Sequence, residues 1–340
     1  MDQVADAANL LGAIVVLLGV AAFVSVWTHR APGNRALTMG LYLVFGGFGF
    51  FLFLFGLGSS YRDWREGTTP GVQSLLALTI GIIAALTLTP PLRKQLARII
   101  PFDPARWTDT TGLFLLGSLA ALSIFSLSQN EATTEAVSYL ELAVSAIAYT
   151  ALAFIFVGFN FHRTFRQALT RLGLEVPTPK QVATAIGFVF VAFGIAIASN
   201  VLLQLLQPDL ADDISENLRT MTSNVDTLWG ALILGLCAGI GEEILFRGAI
   251  QPRFGIIFTA LVFAVLHQQY GASMVTVGVF GVGIMFGVLR NRTNTTCCII
   301  THVIYNTVAV ALGQLDTEDV ETARHALHAV QLLLTPFGLG

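Results

Sequence analysis

Long apolar segments, separated by short polar stretches, run through almost the whole chain. Most are about 20 residues long, the length that an α-helix needs to cross the hydrocarbon core of a bilayer. The pattern predicts an all-α, polytopic membrane protein of about ten transmembrane helices, near residues 9–27, 37–58, 72–89, 111–128, 139–160, 181–206, 227–250, 255–270, 272–289 and 295–313. A final apolar stretch, "LLLTPFGLG", is too short to span and is predicted to lie at the membrane interface.

The charged residues alternate between the two sides of this predicted bundle. With the N-terminus placed outside, the inner loops hold 14 of the 18 basic residues, and the outer side holds 16 of the 21 acidic residues. Basic residues concentrate on the cytoplasmic side of membrane proteins. The distribution therefore favours ten spans with both termini outside, in a multi-pass protein of the cytoplasmic membrane.

The composition agrees with a lipid-facing surface. The 340 residues are 54% hydrophobic and 11% charged, whereas soluble domains carry about 25% charged residues. The bilayer is therefore an expected partner, and no nucleic-acid partner is expected. The three cysteines, Cys237, Cys297 and Cys298, lie inside apolar runs and are predicted to be packing residues rather than a disulfide framework or a zinc site.

The chain divides into four predicted regions. Residues 1–160 form a five-helix membrane region of unassigned role, and residues 161–180 form a basic cytoplasmic loop, "FHRTFRQALTRLGLEVPTPK". Residues 181–315 hold every ionisable group predicted at mid-membrane depth. Residues 316–340 form an acidic tail that ends in the short interfacial segment.

Three ionisable side chains are predicted to lie at similar depth, near mid-membrane, on three different helices. Glu242, His267 and His302 lie about 16, 20 and 14 Å from the inner ends of their helices, at 1.5 Å per residue. An ionisable group at this depth is costly and is a functional candidate by default. Spacing of four residues places partners on one helix face in three pairs: Glu243 with Arg247, Phe263 with His267, and His302 with Asn306.

This set of side chains suits the hydrolysis of an amide bond. A buried carboxylate such as Glu242, which has no basic residue spaced to pair with it, can act as general base toward water. A neighbouring histidine, His267, can hold that water. The transition state is an oxyanion that needs preorganised donors, and His302 and Asn306 can supply them.

Three motifs in this order resemble one family of enzymes. "EEILFR", "FAVLH" and "HVIYN" are similar to the motifs of the CPBP family, the CAAX prenyl endopeptidase and bacteriocin-processing-like intramembrane proteases, over roughly residues 180–315. The resemblance implies an intramembrane endopeptidase with Glu242 as base, His267 as its partner, and His302 and Asn306 as the oxyanion hole. Glu243, Arg247 and Phe263 are then supporting residues.

The resemblance also implies a substrate and a cofactor state. The substrate is a membrane protein or lipidated peptide, in one branch of the family a prenylated CAAX protein. The first prediction is catalysis without a cofactor. As an alternative, Glu242, His267 and His302 can together hold a zinc ion with one coordination position open.

Two other functions fit parts of the pattern. Glutamate and histidine residues at mid-membrane also relay protons or ions in transporters. A membrane scaffold can retain this fold without cleaving any substrate. These polar residues can also have purely structural roles. Glu243–Arg247 can be a buried ion pair, His267 a packed core residue, and Asn306 a hydrogen-bonding contact between helices.

Overall fold

The computed structural model describes residues 2–127 and 135–313 of the chain. Within those ranges the regular structure is helical, and the one pairing of strand type is an isolated bridge between Phe159 and Arg163. The predicted all-α fold is therefore confirmed. The predicted acidic tail, 316–340, and its interfacial segment lie outside the described residues.

The first half of the chain contributes six helices. Their bounds are α1 Asp2–Arg30, α2 Arg35–Arg65, α3 Val72–Leu88, α4 Pro90–Leu96, α5 Trp107–Leu127 and α6 Tyr139–Phe156. The pair α3 and α4 is bent by 91° at Thr89. Two consecutive prolines follow Thr89, and a proline disfavours helical geometry in the residue before it, which explains the bend.

An amphipathic connector joins the two halves. It contains α7, Phe165–Leu172, and leads to α8, Pro179–Leu206. Both helices begin with a capping box, at Thr164 and at Thr178. In each box the threonine side chain accepts a hydrogen bond from the backbone N–H of the glutamine three residues later, and that glutamine side chain accepts one from the threonine backbone N–H. Helix α7 ends at Gly173, which adopts a left-handed conformation with φ of 69°.

The second half carries the candidate site. It contains α9 Pro208–Thr222, α10 Leu228–Glu243, a π-helical segment Ile244–Ile250, α11 Gln251–Leu266, α12 Met274–Arg292 and α13 Thr295–Gly313. Gly255 interrupts α11 with φ of 77°, and the chain reverses there. As a result, the rings of Phe246 and Phe263 meet at 5.2 Å from opposite sides of the reversal.

Eight helices in the described ranges are long and apolar enough to cross a membrane, or nine if the bent pair α3–α4 is one span. The predicted seventh span, 227–250, and most of the eighth, 255–270, fall within Leu228–Leu266, which is broken at Gly255. After the break at Gly255, residues 256–266 extend only about 16 Å, half of a bilayer core. The chain is a multi-pass membrane protein, while the number of spans and their orientation stay predictions.

Close helix contacts at glycine hold α10 against α13. A Cβ atom built on Gly235 would lie 2.8 Å from the carbonyl oxygen of Val303, and one built on Gly239 would lie 3.2 Å from the amide nitrogen of Val303. Only glycine permits this backbone approach, a common device in membrane helix packing. The contact fixes the position of α13, which carries His302 and Asn306.

Candidate active site

A sealed cluster of charges lies where α10 continues into the π-helical segment. Glu243 Oε2 accepts a hydrogen bond from Arg247 Nε at 3.0 Å, and neither side chain is exposed. Glu243 Oε1 accepts another from His302 Nδ1 at 2.9 Å, so this carboxylate joins α10 to α13. The pair Glu243–Arg247, which the spacing of four residues predicted, is present.

Aromatic rings complete the burial of Arg247. Its guanidinium lies over Phe263 at 5.1 Å and over Phe286 at 5.7 Å from the ring centroids. Such cation–π contacts offset part of the cost of desolvating the charge. The rings of Phe286 and His302 also stack at 5.1 Å. The cluster is therefore a packed support that positions α10, α12 and α13 relative to one another.

Glu242 and His267 form a second pair beside this cluster. Glu242 Oε2 and His267 Nε2 are 4.0 Å apart, although the two residues come from opposite sides of the Gly255 reversal. Their side chains are 19% and 21% exposed, compared with 0% for Glu243 and Arg247. Glu242 Oε2 has no hydrogen-bond partner among the described residues. The side chains of this pair, unlike those of the sealed cluster, are partly exposed, while the unpartnered Oε2 atom of Glu242 is itself buried.

The backbone determines which nitrogen of His267 carries the proton. His267 Nδ1 lies 2.7 Å from the carbonyl oxygen of Phe263, an oxygen that can only accept. The proton of a neutral His267 is therefore on Nδ1, and Nε2 has a free lone pair facing Glu242. The ring of Phe263 at 4.5 Å further restricts the imidazole. A separation of 4.0 Å allows one water to hydrogen bond to both Nε2 and Oε2.

His302 and Asn306 occupy one face of α13. His302 is buried and directed toward Glu243, whereas Asn306 is half-buried one turn later and its side chain makes no hydrogen bond within the described part of the chain. A neutral His302 that donates from Nδ1 has no proton on Nε2. It can donate to an oxyanion only as an imidazolium, which the adjacent Glu243 carboxylate favours.

Some neighbours of the site carry no signal in the sequence. Phe286 touches both Arg247 and His302, yet it is one apolar ring within an apolar helix. The α6 helix also borders the site, because a Cβ atom on Gly241 would lie 2.9 Å from the Cα atom of Ala146 and 3.4 Å from the Cβ atom of Tyr149. Neither contact follows from periodicity or motif spacing, since both depend on how separate helices pack.

The alternative zinc ligands do not form a ready set of three. Among the described residues, no three histidine, cysteine, aspartate or glutamate side chains are grouped as metal ligands. Glu242 and His267 approach each other, but the third proposed ligand, His302, is hydrogen-bonded to Glu243 instead. No catalytic step is therefore derived through a metal, and metal dependence stays a prediction.

Comparison with known protein families identifies this region. Residues 224–308 match the family described as type II CAAX prenyl endopeptidase Rce1-like. This match confirms the resemblance drawn from the three motifs. The matched region runs from the residues before α10 almost to the end of α13 and includes all seven predicted site residues. Searches of curated proteins and of solved structures returned no match.

The match supports a protease of the membrane. An Rce1-like domain implies a CAAX-type endopeptidase, and its position in a multi-pass helical protein makes the enzyme an intramembrane one. The match covers about a quarter of the chain, and α1 to α9 lie outside it. The predicted division into four regions is not tested by this match.

Proposed function

We propose that this chain hydrolyses a peptide bond of a membrane-associated substrate, specifically a prenylated CAAX-type protein or peptide, with water activated by Glu242 and His267. The observation that carries the proposal is the approach of an unpartnered carboxylate oxygen to the free lone pair of a histidine at 4.0 Å. Both groups accept hydrogen bonds, so the bridging water donates both of its protons and directs an oxygen lone pair outward.

The reaction follows from these proton positions. The water attacks the carbonyl carbon while Glu242 takes one of its protons as general base. The resulting oxyanion accepts hydrogen bonds from Asn306 and from the imidazolium form of His302. Glu242 then delivers its proton to the leaving amine, which breaks the C–N bond and restores the carboxylate.

Charge balance supports the imidazolium form of His302. Glu242 and Glu243 bring two negative charges into a region of low dielectric constant, and Arg247 brings one positive charge. A protonated His302 makes the site neutral before the reaction. Since an unbalanced charge is costly at membrane depth, this is the state that the surroundings stabilise.

The proposal is tested with full-length protein in liposomes and a fluorogenic farnesylated CAAX peptide. We expect Glu242→Gln to lower kcat/KM by about 10²- to 10⁴-fold, the usual contribution of a general base, without lowering the melting temperature. Glu175→Gln is the matched control, because Glu175 is an exposed acidic residue outside the site. A Glu242→Gln protein that cleaves like wild type would refute the assigned base.

The same liposomes distinguish the alternative functions, a transporter and a scaffold, and test whether cleavage depends on a metal. Glu242-dependent ion flux without cleavage would point to a transporter, and neither flux nor cleavage would point to a scaffold. A zinc chelator added to the cleavage assay tests metal dependence. Activity that is lost with the chelator and restored by zinc would assign Glu242, His267 and His302 as ligands instead.

A further inference from the structure

A basic cleft lies beside the amphipathic connector, and none of the candidate active-site residues is in its lining. It has a volume of about 1030 Å³ and is open to the surface. Four arginines from three parts of the chain and two threonine hydroxyls line it: Arg106, Arg166, Arg171, Arg290, Thr164 and Thr170. Glu242 is about ten residues from Pro252 at the edge of the cleft, or about 15 Å along the helix.

The positive charge of the cleft is poorly compensated by the described residues. No carboxylate is among its described lining residues, and Asp103 pairs only with Arg106, at 3.0 Å. Asp109 pairs with Arg253 at 3.3 Å, outside the cleft lining. Arg166 and Arg290 make no ion pair within the described ranges, and the Nε atom of Arg290 is buried without a hydrogen-bond partner.

Arg171 shows the consequence of this concentration of charge. Its guanidinium donates to the carbonyl oxygen of Gly248 at 3.2 Å, a neutral partner. Burial, together with repulsion from Arg253, Arg163 and Arg290, lowers the pKa of Arg171 to about 10. An anion in the cleft would relieve that repulsion and supply acceptors for the unsatisfied guanidinium groups.

The surroundings place the cleft at the level of lipid headgroups. Arg290 lies in the last turn of the membrane-spanning helix α12, and α7 lies along the same edge. Phe165 at the start of α7 is 56% exposed and Val176 after it is 94% exposed, so apolar side chains extend beside the basic cleft. Apolar side chains beside cationic ones are typical of a segment that lies in the interface.

We infer that the cleft binds the phosphate group of an anionic phospholipid. Guanidinium groups pair with phosphate oxygens through two parallel hydrogen bonds, and the Thr164 and Thr170 hydroxyls can add further donors. The cleft is on the side that the sequence analysis predicts to be cytoplasmic, where anionic lipids attract basic segments. The bound lipid would tie α7 to the ends of α11 and α12.

The inference is tested by native mass spectrometry on delipidated full-length protein with added dioleoylphosphatidylglycerol or dioleoylphosphatidylcholine. We expect selective retention of dioleoylphosphatidylglycerol. The double variant Arg166→Gln/Arg290→Gln should lower the apparent affinity for this lipid by about tenfold or more. The matched control is Arg98→Gln/Arg292→Gln, which removes two exposed charges of the predicted cytoplasmic side outside the cleft. The control should change affinity by less than about twofold.

Several results would overturn the inference. Equal losses in both double variants would indicate a diffuse charge effect. Binding of inorganic phosphate without binding of dioleoylphosphatidylglycerol would assign the cleft to a soluble anion. Retention of a farnesylated peptide with a free C-terminal carboxylate, but not of the same peptide with a C-terminal amide, would assign the cleft to a substrate carboxylate.

A second measurement on the wild-type protein does not depend on how the variants fold. Amide hydrogen exchange measured with and without dioleoylphosphatidylglycerol should show that the lipid protects residues 164–172 and 286–292. Protection confined to other segments would contradict the site.

Discussion

Adjacent glutamates on one helix have different surroundings because their side chains face different partners. Glu243 is sealed between Arg247 and His302, while Glu242 points toward His267 and keeps one oxygen without a hydrogen-bond partner among the described residues. Consecutive helical residues are separated by about 100°, which places the two carboxylates in separate environments. We therefore propose that Glu243 supports the fold and that Glu242 is the reactive group.

Removing the charge of Glu243 should destabilise the protein rather than act on chemistry alone. In Glu243→Gln the buried Arg247 keeps its charge without an anion, and such a loss costs about 3–5 kcal/mol. We expect a clear drop in melting temperature in detergent. The double variant Glu243→Gln/Arg247→Met removes both charges and should recover most of the stability. A single variant as stable as wild type would show that the pair is not a structural support.

The proposed imidazolium form of His302 predicts an alkaline limit to kcat/KM. Activity should fall at high pH as His302 loses its proton. His302→Gln keeps a donor that does not titrate, so its alkaline limb should disappear while the maximal rate falls by about 10²- to 10³-fold. An unchanged alkaline limb in His302→Gln would show that another group produces it.

Individual helices bring the reactive groups together through breaks and close contacts. The reversal at Gly255 returns the chain along itself, so that His267 reaches Glu242. The glycine contacts of α10 hold α13 at a distance that allows His302 to bond Glu243. The site therefore also depends on glycines that contribute no functional side chain of their own.

A methyl group between α10 and α13 should disturb both stability and activity. In Gly235→Ala the new Cβ atom would lie 2.5 Å from Thr307 Oγ1 and 2.8 Å from the backbone oxygen of Val303, so α13 must move. Overpacking of this kind costs about 1–3 kcal/mol. Gly187→Ala on α8 is the control, because nothing lies within 4 Å of its added Cβ atom. Equal melting temperatures and kcat/KM values for the two variants would contradict the close contact.

On the scale of the whole molecule, the helices outside the family match hold the Rce1-like domain in place. Arg253 binds Asp109 at 3.3 Å and the carbonyl oxygen of Phe156 at 2.8 Å, which joins α11 to the first half of the chain. Ala146 of α6 packs against Gly241, next to Glu242. Through α6, the first half of the chain, whose role the sequence left open, thus borders the helix segment that carries Glu242.

Separating the two halves should therefore inactivate the protein. The fragment 176–340 expressed alone is expected to lose cleavage of the farnesylated reporter, because α10 and α11 lose their contacts with α5 and α6. Co-expression with the fragment 1–175 should restore part of the activity, since the cut lies in an exposed connector where Val176 is 94% exposed. Full activity of 176–340 by itself would show that the first half has no part in the site.

The sequence was sufficient for those features that depend on local composition and spacing. Apolar length predicts an all-α, multi-pass membrane fold, because a lipid environment requires internally bonded backbone. The spacing of four residues predicts the Glu243–Arg247 pair, and the three motifs predict the family. These signals lie within single helices or short motifs, so they can be recognised without knowing how the helices pack.

Tertiary structure alone decided which helices and side chains meet. It placed His302 on Glu243 and gave Phe286 its contacts with Arg247 and His302, through packing between residues far apart in sequence. It also turned the chain at Gly255, so that Phe246 and Phe263 meet across the turn. Hydropathy records how apolar a segment is, but a positive φ at one glycine and the contacts between helices determine its path.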